Sequence, residues 1–153
     1  MAIWLMKSEP DAFSINDLKH RQRENWDGVR NFQARNYMRE MAKGDIILFY
    51  HSSCKVPAIV GTAIVSKTAH PDPSCWDPKS PYYDPKSTAE TPRWVQVELA
   101  FESKLTKPLT LTLLKSWPEL DGFPLTKKGS RLSVMPVDEP YWHILKPHIL
   151  SQS

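Results

Sequence analysis

The chain has 153 residues, enough for one domain (residues 1–153) with its own core and no need of disulfides or metals. Twenty basic against seventeen acidic side chains give a formal charge of +3, which permits contact with nucleic acid without requiring it; two cysteines exclude a disulfide framework. The opening apolar run Ile3-Trp4-Leu5-Met6 is too short for a secretory leader or a membrane span, so the chain reads as soluble, cytoplasmic and monomeric.

Residues 3–7 read as a buried strand that Pro10 stops. Ser14 is placed to cap a short helix through Ile15 and Leu18, and residues 20–25 read as a charged loop. Asp27-Gly28 marks a turn. From Asn31 to Met41 the period is helical, with Ala34, Tyr37, Met38 and Met41 on one stripe. Gly44 and Asp45 end that helix and open a strand over residues 46–50. Residues 58–66 form another, in which Gly61 signals a bulge or a close backbone approach.

Residues 68–92 include six prolines and are long for a loop, which points to function or local disorder. Residues 94–101 alternate as a strand, 108–114 suggest a short helix, and 131–137 a last strand. A C-terminal helix follows from Asp138 or Glu139 through Trp142 and Leu145, with Pro140 at a tolerated early position. The sum is a mixed α/β (α+β) domain: five or six strands, mostly antiparallel, curled into a partial barrel with short helices around it.

Six tryptophans are many for this length, and suit either a large core or a pocket for flat ligands. The stretch WDGVRNFQARN sets one of them, Trp26, beside two arginines and two asparagines. If Asn31 caps the helix, free N–H groups lie at its first turn, Arg30 precedes it, and Arg35 and Arg39 follow on one side, a place that suits an anion. Read alone, it is a capped surface helix with solvated arginines and Trp26 in the core. KSEP and FYHSS both switch from apolar to polar where a strand leaves the sheet. They offer Lys7, Ser8, Glu9, Tyr50, His51 and Ser52 as stacking and hydrogen-bonding groups. Arg131 and Ser133 lie two apart on an extended segment, hence on one face.

Metal and catalytic patterns are weak. The mixed pairs His51-x2-Cys54 and His70-x4-Cys75 lack the usual zinc spacing, so no metal or other cofactor is expected. Cys54 with His51, or Ser52 with Glu9 and His51, would be the catalytic groupings, but no nucleophile elbow surrounds them. Five glycines leave little material for a phosphate-cradling loop.

Taken in order, WLMKSEP, WDGVRNFQARN, GDIILFYHS, CKVPAIVG, YYDPKS and RLSVMPV resemble the EVE-domain family over residues 3 to about 145. Phe32 stands where that pattern often has tyrosine, Ser53 where it has asparagine, and Ala58 where it has glycine. The resemblance implies a PUA-like fold, a curled and mostly antiparallel sheet or pseudo-barrel. It also implies a non-catalytic reader of modified DNA, particularly of methylated or hydroxymethylated cytosine.

Carried over by position, the pocket would draw on Lys7, Ser8, Glu9, Trp26, Arg30, Asn31, Arg35, Tyr50, His51 and Ser52, with Tyr83 and Arg131 as further candidates. Trp26 and Tyr50 would stack on a flipped base, Asn31, Ser8, Ser52 and Glu9 would read its edge, and Arg30 and Arg35 would hold flanking phosphates. An RNA-binding protein on the same fold is the second reading. A small-molecule enzyme using His51 with Cys54 or Glu9 is the third.

Overall fold

Two near-continuous apolar runs, IWLM and IILFY, become adjacent parallel strands buried on both faces, which is why neither shows a polar alternation. They are β1 (Ile3–Ser8) and β3 (Ile46–His51) of a computed structural model that describes residues 1–127 and 131–152. The other strands are β2 (Arg23–Asn25), β4 (Ala58–Pro71), β5 (Val95–Thr110) and β6 (Val134–Pro136). The helices are α1 (Ile15–Arg21), α2 (Phe32–Glu40), α3 (Leu111–Lys115) and α4 (Glu139–Leu150). The sheet order is β2-β5-β4-β3-β1-β6, and every pairing but β1 with β3 is antiparallel.

Side chains alternate across the central strands, so the sheet divides the interior into two cores. Trp4, Met6, Ile47 and Phe49 point to one face, where Ile15 and Leu18 of α1 and Ala34 and Met38 of α2 cover them. Ile3, Leu5, Leu48 and Tyr50 point to the other, against Leu114, Phe123 and, from α4, Leu145 and Ile149. Both helix starts legible in the sequence are capped as their residues dictate. The Ser14 side chain accepts from Asp17 N–H in a reciprocal capping box, and Asn31 Oδ1 accepts from Ala34 N–H at 2.9 Å.

Four strands differ from the sequence expectation. Residues 23–25, expected in a charged loop, form β2; it is an edge strand, where charge is tolerated because one side meets water. β4 continues to Pro71, and β5 continues through Pro108 to Thr110, so the expected helix begins only at Leu111. In that extension only Leu105 and Leu109 are buried, and pairing with β4 holds the rest extended. The last strand is shorter than expected, Val134–Pro136, and Lys128, Gly129 and Ser130 lie outside the described residues.

Gly61 is the close approach its sequence context suggests. A methyl group there would lie 2.5 Å from the Ser103 carbonyl oxygen and 2.6 Å from Ile15 Cδ1. The registers of both β3–β4 and β4–β5 shift beside it.

One buried carboxylate ties the start of the chain to the sheet. Asp45 accepts from Ala2 N–H at 3.1 Å, from the Trp4 indole N–H at 3.0 Å and from Ala42 N–H at 2.9 Å. Burial by itself would raise its pKa, but the three hydrogen bonds outweigh it and hold the carboxyl below its ordinary value. Replacing Asp45 with Ala leaves the buried indole donor unpaired. Urea denaturation at neutral pH is expected to show a loss of about 1–3 kcal/mol.

His51, at the end of β3, receives α1: its Nε2 accepts from Ile15 N–H at 3.1 Å. This requires the neutral ring with its proton on Nδ1. Burial, and then the charge of Lys104, lower its pKa below the ordinary 6.5. Below that value the unfolded chain takes up a proton that the folded chain refuses, so His51 costs stability as pH falls and the loss stops growing below the folded pKa. Denaturation midpoints are therefore expected to drop between pH 7.5 and 5.5 (on the order of the ordinary histidine range), and His51→Gln is expected to flatten that slope.

Candidate functional site

Because β1 and β3 run parallel, they leave the sheet together, with Ser8 opposite His51. Both strands turn away at once and leave a gap at their carboxyl ends, the usual place for ligands in parallel pairs. Ser52 N–H donates to the Ser8 carbonyl at 2.9 Å, and Ser8 Oγ donates to the Phe13 carbonyl at 2.6 Å. Lys7 N–H donates to the Ser133 carbonyl at 2.8 Å, which brings the segment before β6 alongside. Two clefts open beside this exit, and Lys7, Glu9 and Ser133 line both.

The first cleft, about 610 Å³, lies between the end of β1 and the segment 24–30. Trp26 forms its floor. The indole is wedged edge-on against Phe49 at 5.4 Å and Phe13 at 6.3 Å, and the residue is only 9% exposed. Its backbone N–H donates to the Val97 carbonyl. Its indole N–H has no partner among the described residues; since no buried side-chain donor there lacks one, this donor reaches solvent. Tyr82, 40% exposed, supplies a wall, its ring lying directly over Gly28. A methyl at Gly28 would come within 2.8 Å of that ring, and the backbone there, at φ +76°, already disfavours any side chain.

Polar groups rim this cleft. Ser8, Glu24, Asn25 and Asp27 offer acceptors, and Lys7 and Arg21 are cationic. Loss of solvent around its carboxyl, and then the nearby Asp72 carboxylate, raise the pKa of Asp27. Burial lowers the pKa of Lys7.

The cleft owes its shape to Asp72, a fully buried carboxylate in the proline-rich segment. Oδ2 accepts from Gly28 N–H at 2.9 Å and from Arg30 Nη1 at 3.1 Å, while Oδ1 accepts from Ser74 N–H and Oγ. Arg30 also donates to the Tyr82 carbonyl, the Val29 carbonyl and Ser74 Oγ. This network binds residues 28–30 to residues 72–82, so the long irregular segment is an ordered wall. Further along it, Asp84 accepts from the Trp94 indole at 2.7 Å and pairs with Arg93, and Ser87 Oγ meets Cys75 Sγ at 3.2 Å.

The second cleft, about 660 Å³, lies on the far side of Lys7. Tyr50, Ser52, Ser53 and Arg131 line it together with Lys115 and Lys127. Burial pushes the Tyr50 hydroxyl up to about 12, so it stays a neutral donor.

The residues singled out from the sequence therefore divide. Lys7, Ser8, Glu9, Trp26 and Arg30 meet in the first cleft, and Tyr50, Ser52 and Arg131 meet in the second with Lys7 and Glu9. Asn31 caps α2. Arg35 donates to the Arg93 carbonyl and lies over the rings of Phe32 and Trp94. Both line neither cleft, and His51 is turned toward α1. Tyr83 is exposed, and its neighbour Tyr82 is the tyrosine that enters the wall.

Asp72, Tyr82, Phe13 and Asp27 were not singled out as site residues. The one sequence signal for Asp72 is its place in Pro71-Asp72-Pro73-Ser74, an N-cap pattern that the 3-10 turn Pro73–Cys75 realises. Of the residues weighed for zinc, Cys75 is buried against Ser87, and His70 contacts the Thr68 carbonyl and Gln96.

Residues 2–146 match the model of the EVE domain. Human thymocyte nuclear protein 1 is 38% identical over an alignment that covers 89% of this chain and 68% of the human protein. The crystal structure of a Pseudomonas syringae protein superposes with a TM-score of 0.92 at 49% identity, covering 96% of this chain and 99% of that one. A crystal structure of human THYN1 in complex with DNA containing 5-methylcytosine superposes with a TM-score of 0.88 at 36% identity, covering 97% of each chain. The mostly antiparallel six-stranded sheet with its four helices is accordingly the PUA-like fold, and the chain belongs to the EVE-domain family.

Proposed function

We propose that this chain binds DNA and seats a modified cytosine, extruded from its strand, in the first cleft. The observation that carries the reading is the meeting of an indole floor with an accessible N–H, a tyrosine wall and a rim of carboxylates in one cleft. An extruded base loses a few kcal/mol of stacking and pairing. Stacking on aromatic rings returns about 1–3 kcal/mol per base. Carboxylates are the natural acceptors for the exocyclic amine of cytosine. Asp27 and Glu24 provide them, and the Trp26 N–H provides a donor for a ring or carbonyl acceptor. The complex of the human relative with DNA containing 5-methylcytosine supports the same class of ligand.

The reading is of a binding module and not of a catalyst. His51 Nε2 is engaged by Ile15 N–H, so the imidazole that either catalytic grouping would need as its base serves the backbone. Arg30 is likewise committed to Asp72, Ser74 and Tyr82, which moves phosphate contact away from it.

Tyr82→Ala separates recognition from folding. Tyr82 is 40% exposed and its ring packs over Gly28, so its removal is expected to cost about 1 kcal/mol of stability and keep the fold. It is expected to weaken binding of an oligonucleotide carrying 5-methylcytosine by the value of one stack, about 1–3 kcal/mol. Trp26→Ala is the unsuitable variant, because emptying the space between Phe13 and Phe49 costs about 3–5 kcal/mol of stability. Titrations against matched oligonucleotides with 5-methylcytosine, 5-hydroxymethylcytosine and cytosine, and against the RNA counterpart, check the reading. Equal affinity for the methylated and plain strands would sink it, and tighter binding of the RNA would transfer the cleft to an RNA ligand.

A further inference from the structure

The second cleft has a charge pattern that the fold itself does not use. Lys7, Lys115, Lys127 and Arg131 line it against the single carboxylate of Glu9. Among the described residues none of these four cations forms a salt bridge. They arrive from four separate places: β1, the end of α3, the residue after the turn Pro124–Thr126, and the approach to β6. Like charges gathered in one groove repel one another, and an internal counter-ion would have removed that cost. The hydroxyls of Ser52, Ser53 and Ser133 add neutral donors along the same groove.

The groove is also continuous with the first cleft, because Lys7, Glu9 and Ser133 belong to both. An anion lying in it would run directly past the mouth of the aromatic pocket. A repeating anion with neutral units between its charges fits a groove lined by four cations from separate elements better than one isolated phosphate. We propose that the second cleft carries the phosphodiester backbone of the strand whose base enters the first cleft, with Lys115, Lys127 and Arg131 as its phosphate contacts. The proposal rests on the nucleic-acid reading above, but the backbone track is indifferent to whether the base is modified.

The test compares the full chain with the double variant Lys115→Gln/Lys127→Gln; both side chains are exposed, so the fold is kept. Affinities for a 5-methylcytosine oligonucleotide and its unmethylated twin are measured across a salt series. Each phosphate contact contributes about 0.7 to the slope of log K against log salt for single strands and about 0.9 for duplex. The double variant is expected to bind both oligonucleotides more weakly by the same factor, with a slope shallower by about 1.4–1.8, which is two contacts.

A second pair of exposed lysines that lines neither cleft, Lys43→Gln/Lys146→Gln, carries the same change in net charge and is expected to leave the slope unchanged. An unchanged slope in the first pair overturns the proposal, and so does an equal loss in both pairs, which would be a net-charge effect. Inorganic phosphate that binds the wild type as tightly as the oligonucleotides do would also overturn it, in favour of a small-anion site. A reduced slope in a protein that does not distinguish methylated from plain cytosine supports the track and removes the base reading. Retained discrimination with an unchanged slope does the reverse.

Discussion

The parallel pairing of β1 with β3 is the constraint on which the rest depends. It places two strands with buried faces side by side, forces helices onto both sides of the sheet, and makes both strands end at the same level. Antiparallel neighbours would have been joined by a hairpin at that end. Here the chain has to depart in two directions, and the two clefts are the space left between the departing segments. Lys7, half-buried near the end of β1, lines both of them. Its ammonium, partly stripped of water, is held beside both clefts.

Asp72 is the second fixed point. A carboxylate without solvent is costly unless its lone pairs are filled, and it is filled here by two backbone N–H groups, one hydroxyl and one guanidinium. The consequence is mutual. Arg30 cannot leave for a phosphate without stranding a buried charge, and Gly28 cannot move without losing its bond to the same carboxylate. The aromatic wall is therefore set by a polar knot behind it, with the Tyr82 ring lying over Gly28 and its carbonyl held by Arg30 Nε. Such support keeps a pocket open to one shape before any ligand arrives.

Much of the frame was legible. Apolar runs marked the central strands, Ser14 and Asn31 marked the helix starts, and Gly61 marked the place where β4 lets Ile15 and the Ser103 carbonyl close in. The site was legible in its ingredients and less so in its arrangement. Arg30 and Arg35 look alike in the sequence, each beside the same helix start, yet one is bound to a carboxylate 42 positions away and the other stacks over Phe32 and Trp94. Tyr82 and Tyr83 are adjacent in an irregular segment, where no regular period says which ring faces inward. The extent of β5 was obscured by a similar limit, since a half-solvated strand with Pro108 near its end reads locally as the start of a helix.

What the sequence by itself determined were the features that act over a few residues: apolar alternation, caps, the bulged glycine, and the supply of indoles and cations. Family membership was readable for the same reason, because it rests on short ordered motifs. What only the tertiary structure decided was which of those groups remain available to a ligand. A donor or acceptor is available only if no partner elsewhere in the fold has claimed it, and those partners, the Asp72 carboxylate for Arg30 and the Ile15 N–H for His51, lie tens of residues away. Availability is a property of long-range pairing, and local sequence carries no record of it.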